Sequence, residues 1–365
     1  LLAWVASACG RIEFDTRGAA GDAGSDASDD AGMACTPFDT DVAANGAIGL
    51  AWTGSTYLML TVDGLASVDP TTGALGTTRA LSPPEGIEYG GGQALAWNGS
   101  ELALVWLAST GALEFGFTDA TGTGPITAQQ LVAGNAIDPH VAWTGADFVV
   151  AWIDTSMSRV LFDQITASGQ ITHNGDIFQD GSAIGFLYGL DCDTAHCVAA
   201  IYHAAAGNPS LVVEPLPLGG TSAENALALP SSGVYMQLVP ASSGGFAVET
   251  TNTGGFLQAY DASDVMTGSS FAVPGTMGQG LGFVSGIETG TGPRLYGVTN
   301  GTPTYVEAVD YLATSQTFSQ VVTYDSFTVS TTSAPAITSR PSGMLFAAPY
   351  TVGGTGHVRL HQDCM

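Results

Sequence analysis

Large apolar residues recur along this chain in pairs five positions apart, the clearest pairs flanking a short polar stretch that contains glycine. The clearest are Trp52 and Tyr57, Trp97 and Leu102, and Trp143 and Phe148. The spacing returns with altered residues as Cys192 and Cys197, Ala241 and Phe246, and Ser339 and Met344. Residues 138–154 show what a pair marks. Alternating positions lead into Trp143, Thr144 to Asp147 break the pattern, and a second apolar run starts at Phe148. Glycine at the first central position of a two-residue loop suits a type II′ hairpin, and Gly54-Ser55 and Gly99-Ser100 repeat the arrangement of Gly145-Ala146. A third strand is expected from Arg159 to Ile165, a turn at Ala167 to Gly169, and a fourth strand from Gln170. Four strands in about 46 residues, repeated at about that period, predict an all-β chain folded as a single β-propeller.

The remaining units follow with less contrast. Residues 111–117 and 256–260 read as third strands of the second and fifth units. In the sixth, Ile287 lacks an apolar partner at the usual distance, and Leu295 implies a longer turn. Markers near 52, 97, 143, 192, 241, 287 and 339 give seven four-stranded blades, with six or eight as the alternatives. The seventh unit runs out of chain after its third strand, whereas residues 36–42 precede the first unit without a blade of their own. This N-terminal strand is expected to close the ring as the missing outer strand, which removes an exposed edge. Antiparallel pairing there would bring Cys35 to Cys364 as a disulfide, the competing connectivity being to the pair Cys192 and Cys197. A turn at Thr194-Ala195 would set those two directly opposite each other, close enough for a disulfide of their own.

Composition narrows the address. The formal net charge is −26, with no lysine and seven arginines. Neutralising phosphates needs clustered cations, so nucleic acid is not an expected partner, nor is an anionic lipid surface. A Schiff-base lysine and a P-loop lysine are excluded outright. Residues 1–9 end an apolar stretch in Val5-Ala6-Ser7-Ala8-Cys9. This resembles a bacterial lipobox with Ala6 in the usual leucine place, which implies cleavage before Cys9 and a lipid on it; the alternative is an ordinary secretory signal. Five cysteines then leave four for two disulfides. Residues 10–34, rich in Gly, Ala, Ser and Asp, read as a disordered linker, and 35–365 as the propeller.

The repeat resembles one found in secreted and lipid-anchored proteins of myxobacteria and related bacteria, in which Val-Ala-Trp-Asn-Gly-x-x-Tyr-x-Val-x-Trp precedes a strand ending in Ala-Asp-Gly. Here the carriers are Leu95 to Trp106 and Val141 to Trp152. The resemblance implies a propeller at the outer membrane or cell surface, or otherwise periplasmic or secreted, and no particular activity.

Candidate chemistry is sparse. His196 lies between Cys192 and Cys197, but a zinc site needs two further ligands, so neither a metal nor another cofactor is expected. His357 and His361 share a strand face roughly 13 Å apart at ~3.3 Å per residue, too far for one metal. All six histidines (140, 173, 196, 203, 357, 361) are expected to face solvent. No Gly-x-Ser-x-Gly or His-Glu-x-x-His motif is present, nor the Ser-x-Asp-x-Gly-x-Thr-Trp boxes of sialidase-type propellers. Asp154, Asp163, Glu214 and Glu249 are the carboxylates that could pair across blade ends. The expected function is a monomeric binding or scaffolding lipoprotein that takes a protein or glycan ligand at the loops around a central channel. The membrane is reached only through the N-terminal lipid. The alternative is a carbohydrate-active hydrolase or lyase of the same fold, which would gather several acidic or histidine side chains, with raised carboxyl pKa values, in one funnel.

Overall fold

Phe148 to Ile153 is apolar at every position because both faces of its strand are covered. Phe148, Val150 and Trp152 pack toward the preceding sheet, and Val149, Ala151 and Ile153 toward the following one. The same holds for the second strand of the unit before it, where Leu102 to Leu107 are all buried. Outer strands such as Ile171–Asp176 carry Ile171 and Thr172 into solvent. Burial therefore falls from the inner strands to the rim, which is the gradient of a sheet stacked between two others.

The structure is a computed structural model that describes residues 35–47, 49–81, 94–176, 184–192, 197–203, 210–216, 218, 227–228, 235–241, 244–251, 254–261, 266–274, 283–288, 292–298, 304–327, 336–340 and 342–364. The expectations for residues 1–34, including Cys9 and the linker, lie outside these. The described strands form seven antiparallel sheets. Blade 1 holds Gly49–Trp52, Tyr57–Thr61 and Gly64–Val68. Blade 2 holds Leu95–Trp97, Leu102–Leu107, Leu113–Thr118 and Thr127–Val132. Blade 3 comprises Ala136–Trp143, Asp147–Asp154, Arg159–Thr166 and Ile171–Asp176. Blade 4 runs through Ile184–Cys192, Cys197–His203, Ser210–Leu216 and Leu227–Ala228. In blade 5 the strands are Tyr235–Ala241, Gly244–Thr251, Gly254–Asp261 and Met266–Ala272. Blade 6 has Phe283–Glu288, Pro293–Val298 and Thr304–Leu312, the last pairing with both Thr317–Phe318 and Val322–Phe327. Blade 7 is built from Ala336–Arg340, Gly343–Val352 and Thr355–Cys364, with Phe38–Ala43 as its outer strand. The first strand of each blade contacts the first strand of the next, and that of blade 7 contacts that of blade 1, so the ring closes.

Closure by the N-terminal strand is as the sequence leads one to expect, shifted slightly to Phe38–Ala43. Its alternation fits its partner. Asp39 lies opposite His361 and Asp41 opposite Arg359. Asp39 Oδ1 is 2.7 Å from His361 Nδ1, and Arg359 donates to Asp41 at 2.9 Å. Tyr350 Oη also donates to Asp41, at 2.7 Å. Gln362 Nε2 reaches the carbonyls of Thr36 and Pro70, which ties the closing strand to blade 1.

The five-residue pairs are directly opposed residues in five blades: Trp52 and Tyr57, Trp97 and Leu102, Trp143 and Phe148, Cys192 and Cys197, Ser339 and Met344. Trp52 and Tyr57 have ring centroids 4.7 Å apart, and Trp143 and Phe148 4.5 Å. In the first three blades the loop places its glycine at positive φ, 90° for Gly54, 96° for Gly99 and 93° for Gly145, a region glycine enters without steric cost. Two blades depart from the expected register. In blade 5 Phe246 lies opposite Val239, and Ala241 opposite Gly244, so the corresponding pair is Pro240 and Gly245. In blade 6 Ile287 lies opposite Arg294, and Leu295 opposite Gly286.

Blade 5 compensates from another strand. A Cβ on Gly245 would lie 2.3 Å from Tyr260 Oη, so the third strand's tyrosine occupies the place that an aromatic pair fills elsewhere. Tyr260 is buried against Val198, Ala200 and Leu238, and its hydroxyl donates to Asp191 of blade 4 at 3.0 Å. Tyr260→Phe is expected to lower stability by about 1–3 kcal/mol, because a buried carboxylate loses a donor. Urea unfolding of the variant against wild type measures this, and an unchanged midpoint would show that the blade 4–5 seam does not depend on the bond.

Candidate functional site

The inner strand of a propeller blade pairs on one side only. Its other edge faces the channel and carries backbone groups that still need partners. At the blade 3–4 seam, two side chains of one inner strand serve the edge of the next. His140 Nε2 lies 2.9 Å from the carbonyl of Leu187 and donates to it. The Leu187 N–H donates to the Asp138 carboxylate. A single residue of blade 4 is thus gripped through both backbone groups.

The sequence achieves this through an irregularity. Between Ala151 and Ile153 the register of the inner strand slips, with Ala151 opposite His140 and Ile153 opposite Ile137. The extra residue of this β-bulge re-aims the side chains near it. Asp138 takes a φ of +48°, in the left-handed region, which aspartate tolerates better than most residues. Blade 4 slips correspondingly between Leu187 and Gly189.

Both gripping residues are buried, Asp138 at 4% and His140 at 0% relative exposure. Desolvation raises the Asp138 pKa to about 7, opposed by its hydrogen bond from Leu187. Desolvation likewise pushes the His140 pKa down to about 4, so the ring is neutral at physiological pH. Asp138 Oδ2 is buried with no hydrogen-bond partner among the described residues.

The gripped residue lies between two aromatics that face the other way. Phe186 and Tyr188 stack with centroids 5.6 Å apart and planes at 18°. Tyr202, opposite Phe186 on the second strand of blade 4, closes the cluster, 6.0 Å from Phe186 and 6.4 Å from Tyr188. Tyr188 and Tyr202 lean on the core, whereas Phe186 is 43% exposed. The cluster sits where the inner strand begins, at the blade end away from the Cys192–Cys197 turn.

Of the other carboxylates singled out in the sequence, Asp154 and Asp163 lie elsewhere. Asp154 is buried and caps the turn after its strand, accepting from the N–H groups of Ser156 and Met157. Asp163 is buried opposite Val150, facing blade 2, and desolvation raises its pKa to about 6. Glu214 and Glu249 lie on strands of blades 4 and 5. Glu114, opposite Trp106, is buried in blade 2, and its pKa is raised by desolvation. Among the described residues the three raised carboxyls therefore belong to different parts of the fold: Asp138 to the blade 3–4 seam, Asp163 to the opposite face of blade 3, Glu114 to blade 2. Among the described residues no group of three or more His, Cys, Asp or Glu could hold a metal ion.

The histidines correct the sequence expectation. His140 and His361 are buried, each with a hydrogen-bonded partner, rather than facing solvent. His357 is part-buried and stacks on Tyr350. The cysteines form two disulfides: Cys35 to Cys364, with Cα atoms 5.7 Å apart, and Cys192 to Cys197, at 4.0 Å. His196 and the rest of the loop between Cys192 and Cys197 lie outside the described residues.

No protein-family model and no curated protein matches the chain. Solved structures do. The Dos1 propeller aligns over 89% of this chain and 94% of its own, at 10% identity and a TM-score of 0.52. The quinohemoprotein alcohol dehydrogenase of Comamonas testosteroni aligns over 90% of this chain and 76% of its own, at 9% identity and 0.55. A mutant Trypanosoma rangeli sialidase that displays trans-sialidase activity aligns over 90% of this chain and 60% of its own, at 7% identity and 0.51. Likenesses at such identities carry the architecture and nothing of the chemistry: the chain is a β-propeller.

Proposed function

We propose that this chain is a binding or scaffolding propeller that works outside the cytoplasm, held to the membrane by a lipid on Cys9, and that its ligand docks on the aromatic cluster of blade 4. The observation that carries this reading is the exposed Phe186 stacked on Tyr188, on a strand fixed from behind by Asp138 and His140. Aromatic side chains with partial exposure and fixed orientation are the usual anchors of recognition surfaces. Two disulfides support an oxidising compartment, where such bonds persist. The separation of the raised carboxyls disfavours the hydrolase reading, because acid and base must reach one bond.

Phe186→Ala tests the proposal. Phe186 is 43% exposed and packs on Tyr188 and Tyr202, so its removal is expected to lower the thermal midpoint by a few degrees at most and to leave the fold intact. Binding to any ligand identified on a printed glycan array, or by cross-linking in envelope fractions, is expected to weaken by about tenfold or more, the loss typical of an aromatic anchor. Undiminished binding by the variant would place the ligand elsewhere on the ring. Cys9→Ala separately tests the anchor: loss of palmitate labelling together with release of the protein from membranes supports it, and an unchanged distribution rejects it.

A further inference from the structure

Arg340 ends the inner strand of blade 7 and is 2% exposed. Its guanidinium lies over the Trp52 ring, 5.2 Å from the centroid, and 6.0 Å from that of Tyr57, both in blade 1. Its Nε and Nη2 are buried with no hydrogen-bond partner among the described residues. Thr338 Oγ1, two residues back on the same strand face, is buried and likewise has no partner among the described residues.

The other described arginines are served. Arg159 pairs with Asp176, Arg294 with Asp310 and Asp363, and Arg359 with Asp41. Arg79 donates to the carbonyls of Gly122 and Gly124. The chain has 33 aspartates and glutamates against seven arginines, yet this buried arginine forms no ion pair with a described residue. A guanidinium does not escape by losing its proton. Removing it from water unpaired is costly, and cation–π contact with the aromatic faces offsets only part of that cost. The position calls for a counter-anion.

We propose that the blade 7–1 seam contains an anion site in which the Nε–Nη2 edge of Arg340 holds a small oxoanion of the carboxylate type. That edge presents two parallel N–H groups, the fork that matches two oxygens of one planar anion. The site stands beside the ring closure. Arg340 pairs across its hairpin with Gly343, which lies opposite Cys364, and a Cβ on Gly343 would be 2.8 Å from Cys35 Sγ. Anion, disulfide and borrowed strand thus meet at one seam, and the anion joins the closing blade to the first by neutralising the charge buried between them. By linkage, an anion that binds only the closed ring stabilises it in proportion to the logarithm of its concentration once above its Kd.

The test uses the whole chain, dialysed into an oxoanion-free buffer and titrated with sodium formate at constant ionic strength set by sodium chloride. With seven arginines and no lysine, the arginine Nε–H region of the NMR spectrum is sparse. One Nε–H resonance is expected to move downfield and saturate, and the thermal midpoint to rise over the same range. Arg340→Lys keeps the charge and removes the fork, so both responses should vanish. Should that variant not fold, the wild-type titration decides alone. Acetate and phosphate arms measure how large an oxoanion the seam admits. Oxoanion density on the fork in a crystal structure after dialysis supports the site equally. The proposal is overturned if formate moves no Nε–H resonance and the fork is found on a carboxylate of the chain itself or on water alone, or if chloride produces the response and formate adds nothing.

Discussion

Replacing both Cys35 and Cys364 by serine is expected to destabilise the closed ring by roughly 6 kcal/mol, the chain-entropy value for a loop of several hundred residues. The bond joins positions 329 residues apart, so cutting it frees almost the entire domain in the unfolded state. The non-covalent part of the closure is weaker. The hydrogen-bonded pair Asp39–His361 and the ion pair Asp41–Arg359 involve aspartates 40% and 46% exposed, and surface contacts of that kind are worth about 1 kcal/mol or less each. Cys192–Cys197 closes a loop of only a few residues and is worth roughly 2 kcal/mol by the same relation. Denaturant unfolding of the two double-serine variants separates the contributions, and reduction of the wild type should approach their sum. The clasp variant should also lose hydrogen-exchange protection first at residues 38–43, because the borrowed strand opens without disturbing the other blades. A loss below about 1 kcal/mol, with that strand still protected, would show that pairing alone closes the ring and that the denatured chain is already compact.

That closure was legible in the sequence because it follows from counting. Residues 36–42 precede the first inner strand without a blade, and the last unit lacks a fourth strand. The Cys192–Cys197 pair was legible because hairpin register is local and the two cysteines stand where Trp143 and Phe148 stand. Legibility failed where the partner of a residue comes from another blade. His361 reads as a solvent-facing strand residue until Asp39, 322 positions away, is laid against it. His140 sits in the cleanest repeat of the chain, yet it is held by a carbonyl of the next blade. In blade 5 the marker shifted by one because Gly245 carries no side chain and the space is filled by Tyr260 from the third strand. Arg340 follows a serine where other units carry tryptophan, and nothing local shows that it is drawn across the seam onto Trp52. Periodicity reports which positions are buried; it does not report which buried polar groups meet between units, and the candidate sites of this molecule are built from those groups.

The second large effect concerns Asp138. Its carboxyl is raised by burial from 3.8 to about 7, which corresponds to a cost of about 4 kcal/mol when the group must be ionised in the fold but is free to ionise in the unfolded chain. The sign follows from that direction. With the folded value above the unfolded one, the stability associated with the protonated carboxyl is complete below about pH 4 and is lost as the pH rises through about 7. His140 works oppositely: its folded value is depressed to about 4, so its contribution is present above its unfolded value near 6.5 and lost as the pH falls through about 4. Between pH 4 and 7 the two slopes offset each other, and the wild type should show a flatter stability profile than either group alone would give. Asp138→Asn uncouples them. Asparagine accepts the left-handed φ of +48° as readily as aspartate does, and its amide oxygen can still accept the Leu187 N–H. At pH 8 the variant is expected to be more stable than the wild type by up to about 4 kcal/mol, at pH 4 nearly equal to it, and its remaining pH dependence should rise with pH as His140 alone dictates. Urea unfolding at several pH values reads all three. A variant less stable than wild type at pH 8 would mean that the ionised carboxylate is compensated at the seam, with Asp138 Oδ2 engaged in solution by a cation or an ordered water. The clamp on Leu187 would then be an electrostatic anchor for the strand that presents Phe186 and Tyr188, rather than a buried acid tolerated for its geometry.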